Sequence, residues 1–206
     1  MTYPQFFDNV RPVTLYDPLS EFLGSAEGGI IEYRYVDAVK LTGHSCPTVA
    51  GAYLMTAKAL AALYLDRMPE RGAIGVSFAA DREDGVTGVM ASVATLLTGA
   101  TGTGGFKGIA GRFDRRALLS FGLAMRAELA VTRLDTGRVV MVDYDASSIP
   151  VAPTMRELLQ RMLTGQATPD EAREFGLLWQ DRVKRVLIDQ ADSPGVITLT
   201  GPLATR

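Results

Sequence analysis

The stretch Gly43-His44-Ser45-Cys46-Pro47 contains the only histidine and the only cysteine of the chain. Imidazole and thiolate groups suit a borderline metal ion, or the roles of base and nucleophile. Proline is favoured at the first helical position, so a helix is predicted to begin at Pro47 with Cys46 as its N-cap. The free N–H groups there would favour the thiolate of Cys46 at neutral pH, and Ser45 could turn its hydroxyl toward the same groups. The alternative is that the cysteine and the histidine are ordinary packing residues.

Two helices and a strand are predicted to position this stretch. The first helix runs from Pro47 to about Asp66, a buried strand covers residues 73–80, and a second helix covers residues 86–97. Ligands tend to lie at the carboxyl ends of strands, so Asp81 or Asp84 could supply an oxygen ligand near the cysteine. The alternative is a solvated loop, or a helix cap in the case of Asp84.

A glycine-rich segment, residues 101–108, follows the second helix and contains Lys107. Backbone N–H groups in such a segment can hold an anion, and Lys107 is a candidate contact for a substrate or cofactor. The segment lacks the spacing of a phosphate-binding loop or a dinucleotide fingerprint, which favours a plain turn near the site.

The remaining pattern indicates an α+β fold, with a helix-strand-helix-strands core, a mixed or antiparallel sheet and C-terminal helices. Strands are predicted over residues 30–36, 109–113, 117–123, 127–134 and 138–144, and a final strand over 196–200. Asp17 and Pro18 should start an early helix, and Thr154 and Thr168 two late ones. Residues 1–146 are assigned to the core with its N-terminal extension, and residues 147–206 to a helical appendage.

Composition limits the classes of partner and the compartment. The chain has 206 residues, 47% of them hydrophobic, and a net charge of −2. Balanced charge argues against a nucleic-acid surface, and no apolar run approaches the ~18 residues of a membrane span. One cysteine excludes an internal disulfide, and the N-terminus lacks the pattern of a signal peptide. We therefore expect a cytoplasmic protein that contacts neither nucleic acid nor membrane.

The segment from Gly43 to Gly51 resembles the G-H-x-C-P-x-x-x-G signature of the FmdE family of formylmethanofuran dehydrogenase proteins. The resemblance continues to Leu97-Thr98-Gly99 and ends near Gly105–Gly108, about the middle third of the chain. It implies a fold similar to the catalytic domain of glyceraldehyde-3-phosphate dehydrogenase, a homodimer, and an association with molybdenum or tungsten enzyme systems. The family typically has a second cysteine near the second helix and often another after the Leu-Thr-Gly. This chain has no second cysteine, and Ala100 follows Gly99, which favours a more oxygen-rich site.

These observations support three hypotheses. In the first, His44 and Cys46 bind a divalent metal ion, most simply zinc, with Asp81 or Asp84 as third ligand and water, substrate or a partner protein completing the shell. In the second, Cys46 is a metal-free nucleophile and His44 its base. In the third, the protein is a non-catalytic accessory subunit. The sequence does not identify the small-molecule ligand.

Overall fold

A five-stranded sheet with helices packed against it forms the centre of the fold. The computed structural model describes residues 2–203. Residue 1 of the predicted range 1–146 and residues 204–206 of the predicted range 147–206 lie outside the described part. The strands are β1 (Val13–Tyr16), β2 (Ile30–Tyr33), β3 (Ile74–Phe78), β4 (Leu119–Ser120), β5 (Leu129–Arg133), β6 (Arg138–Tyr144) and β7 (Ile197–Leu203). The α-helices are α1 (Pro18–Phe22), α2 (Tyr35–Thr42), α3 (Pro47–Leu63), α4 (Thr87–Thr98), α5 (Met155–Leu163) and α6 (Pro169–Lys184).

The main sheet has the strand order β4-β3-β5-β6-β7, and β1 pairs with β2 in a separate antiparallel ribbon. The pair β3–β4 is parallel, and the other pairs of the main sheet are antiparallel. The predicted α+β class with a mixed sheet is confirmed. The strands predicted over 127–134 and 138–144 are present as β5 and β6, and they pair as an antiparallel hairpin with Arg133 opposite Arg138.

Helix α3 is the central helix of the core and is buried on most of its circumference. It contacts β5, β6 and β7 as well as helices α2 and α4. Its alanines and Gly51 let neighbouring backbones approach closely, while Tyr53, Met55, Leu60 and Leu63 are almost fully buried. The N-terminus of this helix carries Cys46, so the core itself fixes the position of the Cys/His stretch.

Three predicted strands differ from the structure. The strand from Ile30 ends at Tyr33, and α2 begins two residues later, where Asp37 accepts a hydrogen bond from the Arg34 backbone. Residues 109–113 form a single turn closed by hydrogen bonds between Ile109 and Arg112. The strand predicted over 117–123 is reduced to β4.

The segment after residue 147 contributes both helices and a strand. Thr168 and Glu171 form the predicted capping box of α6, and Pro169 is its first residue. After Lys184 the helix widens into a π-helical segment, Arg185–Asp189. Strand β7 then pairs with β6, so this segment supplies an edge strand of the main sheet. The boundary at residue 147 stays a prediction.

A buried ion network joins the N-terminal part of the chain to Arg71 and to Arg115, which lies after the glycine-rich segment. Asp17 is 3% exposed and caps α1 by accepting hydrogen bonds from the N–H groups of Leu19 and Ser20. Its carboxylate also accepts from Arg71 Nη1 at 3.0 Å and from Arg115 Nη2 at 2.7 Å. Burial raises the pKa of Asp17, but the two guanidinium groups outweigh it, so the net pKa lies below the usual value.

Within residues 2–203, every helix is too short or too polar to cross a lipid bilayer.

Candidate functional site

The Cys/His stretch forms the connection between α3, which the sequence predicts, and α2, a helix that it does not predict. Gly43 ends α2 with φ +78°, a left-handed conformation that glycine adopts without a Cβ penalty. Cys46 is extended and is the N-cap of α3, and Pro47 is the first helical residue. The predicted helix start is therefore confirmed.

The imidazole of His44 is held by its own turn and is exposed to solvent. Its Nδ1 lies 3.0 Å from the carbonyl oxygen of Thr42, and the Thr42 hydroxyl donates to the carbonyl oxygen of His44. A carbonyl can only accept, so Nδ1 carries the proton in this hydrogen bond. The lone pair of Nε2 is then free to face a ligand or a proton.

The thiol of Cys46 has a different environment from the imidazole. Cys46 is 9% exposed and belongs to the hydrophobic core cluster. Its Sγ accepts the backbone N–H of Val49 at 3.5 Å, as an N-cap residue does. Within the described residues, no hydrogen bond joins His44 to Cys46.

Ser45 holds the connection in place through hydrogen bonds to α6 and to Tyr35 of α2. Its hydroxyl donates to Gln180 Oε1 at 2.9 Å and lies 3.0 Å from the Tyr35 hydroxyl. Its carbonyl oxygen accepts from Trp179 Nε1 at 3.0 Å and from Gln180 Nε2 at 3.1 Å. The expectation that the Ser45 hydroxyl faces the N–H groups of α3 is therefore wrong, because the hydroxyl is hydrogen-bonded to Gln180 and Tyr35, and the Val49 N–H donates to Cys46 Sγ instead.

Two tyrosines, the buried Tyr35 and the half-buried Tyr144, lie close to the N-terminus of α3. Tyr144 donates to the carbonyl oxygen of Pro47 at 2.8 Å, and its ring lies against Gly51, where no Cβ is present. Burial raises the pKa of both Tyr35 and Tyr144, so both phenols stay neutral near pH 7. The surroundings of Cys46 thus combine apolar walls with neutral hydroxyl groups.

His44 lines an open cavity of about 520 Å³ between α2 and α4. Arg82, Glu83 and Ser92 line the same cavity, together with apolar groups of Leu41 and Val89. Cys46 is not among the lining residues. Glu83 is a carboxylate that sequence reasoning passed over, although it lies in the same acidic loop as Asp81.

The other sequence-predicted site residues lie apart from this cavity. Asp81 is exposed, and its carboxylate is close to Gly122, where a Cβ would approach Oδ1 to 2.5 Å. Asp84 accepts a long hydrogen bond of 3.4 Å from the Asp81 backbone. Lys107 is exposed on the glycine-rich segment. None of these three side chains lines the cavity of His44.

The donor types fit a zinc-type ion, but the described residues do not close a shell around one. Imidazole nitrogen and cysteine sulfur are both ordinary zinc ligands. Within residues 2–203, however, no three His, Cys, Asp or Glu side chains cluster closely enough to hold an ion. Protein-bound zinc usually has three or four protein ligands, so His44 and Cys46 need a further donor.

Comparison with known proteins adds no family to this description. The chain matches no model of a protein family, and the search of curated proteins gives no match either. The resemblance to the FmdE family therefore depends on the residues of the Gly43–Gly51 segment and stays a prediction.

Proposed function

We propose that this protein binds a divalent metal ion of the zinc type through His44 and Cys46, at the connection between α2 and α3. The observation that carries the proposal is the hydrogen bond between His44 Nδ1 and the Thr42 carbonyl oxygen. Histidines that ligate metals usually donate the other ring N–H to a carbonyl or carboxylate, which fixes the tautomer and the ring orientation. His44 has this arrangement, with Nε2 left over as the donor atom.

The position of Cys46 supports its role as the second ligand. Metal-binding cysteines coordinate as thiolates, and the Sγ of Cys46 lies at the N-terminus of α3, where it accepts the Val49 N–H. Cys46 and His44 are separated only by Ser45, so a small rotation of the connection can change the distance between their donor atoms. A bound ion of this type would lower the pKa of a coordinated water molecule.

The proposal also includes a third ligand for the metal ion, a carboxylate oxygen. Glu83 lines the cavity of His44, and Asp81 is two residues before it on the same exposed loop. Either carboxylate could supply an oxygen ligand after a change in loop conformation, which agrees with the oxygen-rich site that the missing second cysteine suggests. We also propose a link to formylmethanofuran dehydrogenase or related molybdenum and tungsten systems, in which the protein could be an accessory subunit.

Cobalt binding tests the metal site directly. Untagged protein titrated with Co²⁺ near pH 7 should bind one ion and develop the absorption band that thiolate-to-cobalt charge transfer produces. His44→Ala and Cys46→Ser should each weaken binding by more than the roughly 10–100-fold that loss of an outer-shell partner costs. The readouts are equilibrium dialysis for stoichiometry and absorption spectroscopy for the sulfur ligand.

Ser92→Ala is the matched control for the cobalt experiment. Ser92 lines the cavity of His44, but its hydroxyl donates to the Gly88 carbonyl oxygen, so its loss should leave cobalt affinity unchanged. Cobalt that binds without the charge-transfer band, or equally well to His44→Ala, contradicts the proposal.

A metal-free thiol enzyme is the second candidate, and the hydrogen bond from Val49 to Cys46 Sγ is the observation that favours it. In this mechanism Cys46 attacks an electrophile, and His44 accepts the thiol proton. The mechanism requires that Cys46 become accessible, because its side chain is only 9% exposed and belongs to the hydrophobic core cluster.

Alkylation distinguishes this candidate from the metal site. A nucleophilic Cys46 should react with iodoacetamide in the folded, metal-free protein at least as fast as free cysteine does, and more slowly in His44→Ala. Mass spectrometry of quenched samples measures the rate, and N-acetylcysteine in the same tube is the reference. Alkylation that needs urea-induced unfolding excludes Cys46 as a nucleophile.

We further infer a cytoplasmic homodimer that contacts neither nucleic acid nor membrane. The single cysteine is compatible with a reducing compartment, and the balanced charge of 21 basic and 23 acidic residues offers no bulk attraction for a polyanion.

A further inference from the structure

A second cavity, separate from that of His44, lies against α3. It has a volume of about 520 Å³ and is bounded by residues 9–14, by one face of α3 and by the π-helical segment Arg185–Asp189. This volume lies within the range that small-molecule sites occupy in proteins.

The walls of this cavity are apolar, and its shape follows from two small side chains. Ala57 and Ala61 are four residues apart on α3, hence neighbours on one helix face, and both line the cavity. Leu54, Leu60 and Leu187 provide larger apolar surface around this hollow. Short π-helical stretches occur frequently at functional sites, and here one supplies Leu187 and Ile188.

Tyr64 places an unpaired polar group on the same wall. It is 7% exposed, and within residues 2–203 its buried hydroxyl makes no hydrogen bond of good geometry, although the Glu70 backbone is near enough to affect its pKa. Burial raises the pKa of Tyr64 to about 12, so the phenol keeps its proton and can donate. An unpaired buried hydroxyl costs free energy.

The rim of the cavity carries one excess positive charge. Lys58 Nζ lies 2.9 Å from Asp192 Oδ1, and Arg11 Nη2 lies 3.9 Å from Asp192 Oδ2. All three residues line the cavity. The hydrogen bond from Lys58 lowers the pKa of Asp192, which is therefore ionised near pH 7. Two cations share one carboxylate, so a second anion would be attracted to this rim.

We propose that this cavity binds a small amphipathic carboxylic acid. The carboxylate of the ligand pairs with Lys58 and Arg11 at the rim, in competition with Asp192. Its aliphatic or aromatic body fills the hollow above Ala57 and Ala61. The site does not involve His44 or Cys46, so it is independent of the proposed metal site.

Calorimetry with a matched pair of probes tests the proposal. Octanoate and 1-octanol have the same chain length, so their difference in affinity reports the contribution of the carboxylate. The intact protein should bind octanoate with saturation and about tenfold or more tightly than 1-octanol, as one charge-assisted hydrogen bond implies. Lys58→Ala should remove this preference, while Lys40→Ala, at an exposed lysine 3.8 Å from Asp37, should keep it.

A substitution that fills the cavity provides the second test of the proposal. Ala61 is exposed, so Ala61→Phe should fold normally, occupy the cavity and weaken octanoate binding at least tenfold. Ala124→Phe, at an exposed loop residue outside the cavity, is the control and should change nothing. Equal affinity for the two probes, no saturable octanoate binding, or unchanged binding by folded Ala61→Phe overturns the proposal.

Discussion

Removal of the Asp17 carboxylate by Asp17→Ala should lower the free energy of unfolding by about 3–5 kcal/mol, the cost of breaking a buried ion pair from one side. The variant leaves the guanidinium of Arg115, which is 6% exposed in its side chain, without its anionic partner. Arg71 loses the same partner, and α1 loses its N-cap. Urea denaturation followed by circular dichroism measures the change.

Asp114→Ala is the matched control, because Asp114 also pairs with an arginine but at the surface. Its partner Arg116 is 39% exposed in its side chain, and such pairs contribute little to stability. The midpoint of urea denaturation should therefore barely move. If both variants lost the same free energy of unfolding, burial would not determine how much the Asp17 network contributes to stability.

The acid sensitivity of the protein provides a further readout of the same variant. Because the pKa of Asp17 is lower in the folded protein, the carboxylate stabilises the fold above its unfolded-state pKa of about 3.9. This contribution is lost as the pH falls through the folded-state pKa. Asp66 also loses its stabilising contribution as the pH falls, since the hydrogen bond from Arg133 lowers its pKa to about 2. Asp17→Ala should therefore lose less stability than the parent below about pH 4.

Gly51→Ala should destabilise the protein by about 2 kcal/mol, although alanine is the better helix former. A Cβ at this position in α3 would overlap the ring of Tyr144, not merely the end of a flexible side chain. The ring cannot move away freely, because its hydroxyl donates a hydrogen bond to the Pro47 carbonyl oxygen. The unfolding free energy in urea is the quantity to compare.

Gly176→Ala is the matched control for this substitution. Gly176 lies inside α6 with open space at its Cβ position, so alanine there should stabilise the protein by up to about 1 kcal/mol. In a Tyr144→Ala background the penalty of Gly51→Ala should disappear, which a double-mutant cycle measures as coupling between the two positions. An unchanged penalty in that background would show that Tyr144 is not its cause.

Local chemistry at helix ends explains the parts of the fold that the sequence predicts correctly. Asp17 with Pro18, Cys46 with Pro47, and Thr168 with Glu171 each begin a helix through contacts within four residues. Gly99 likewise ends α4 in a left-handed conformation. These signals need no tertiary partner, so they can be interpreted from the chain alone.

The missed features depend on distant contacts or on unusual backbone conformations. Phe113 and Ala117 have positive φ angles, which side-chain patterns do not report, and the predicted strands there are correspondingly lost or shortened. For the site, the sequence correctly predicts the Cys46 helix start but gives no indication that Gln180 and Trp179, more than a hundred residues away, hold Ser45. Pairing across that separation is a tertiary event, which patterns of neighbouring residues do not report.

The hydrogen bond between Trp179 and Ser45 makes the tryptophan fluorescence of the protein sensitive to the contact between α6 and the connection. Trp179 is the only tryptophan of the chain, and its indole N–H donates to the backbone of the connection that carries His44 and Cys46. Emission from an indole depends on whether its N–H is shielded or hydrated. A change in native fluorescence would therefore report directly on movement of α6 away from this connection, without any attached dye.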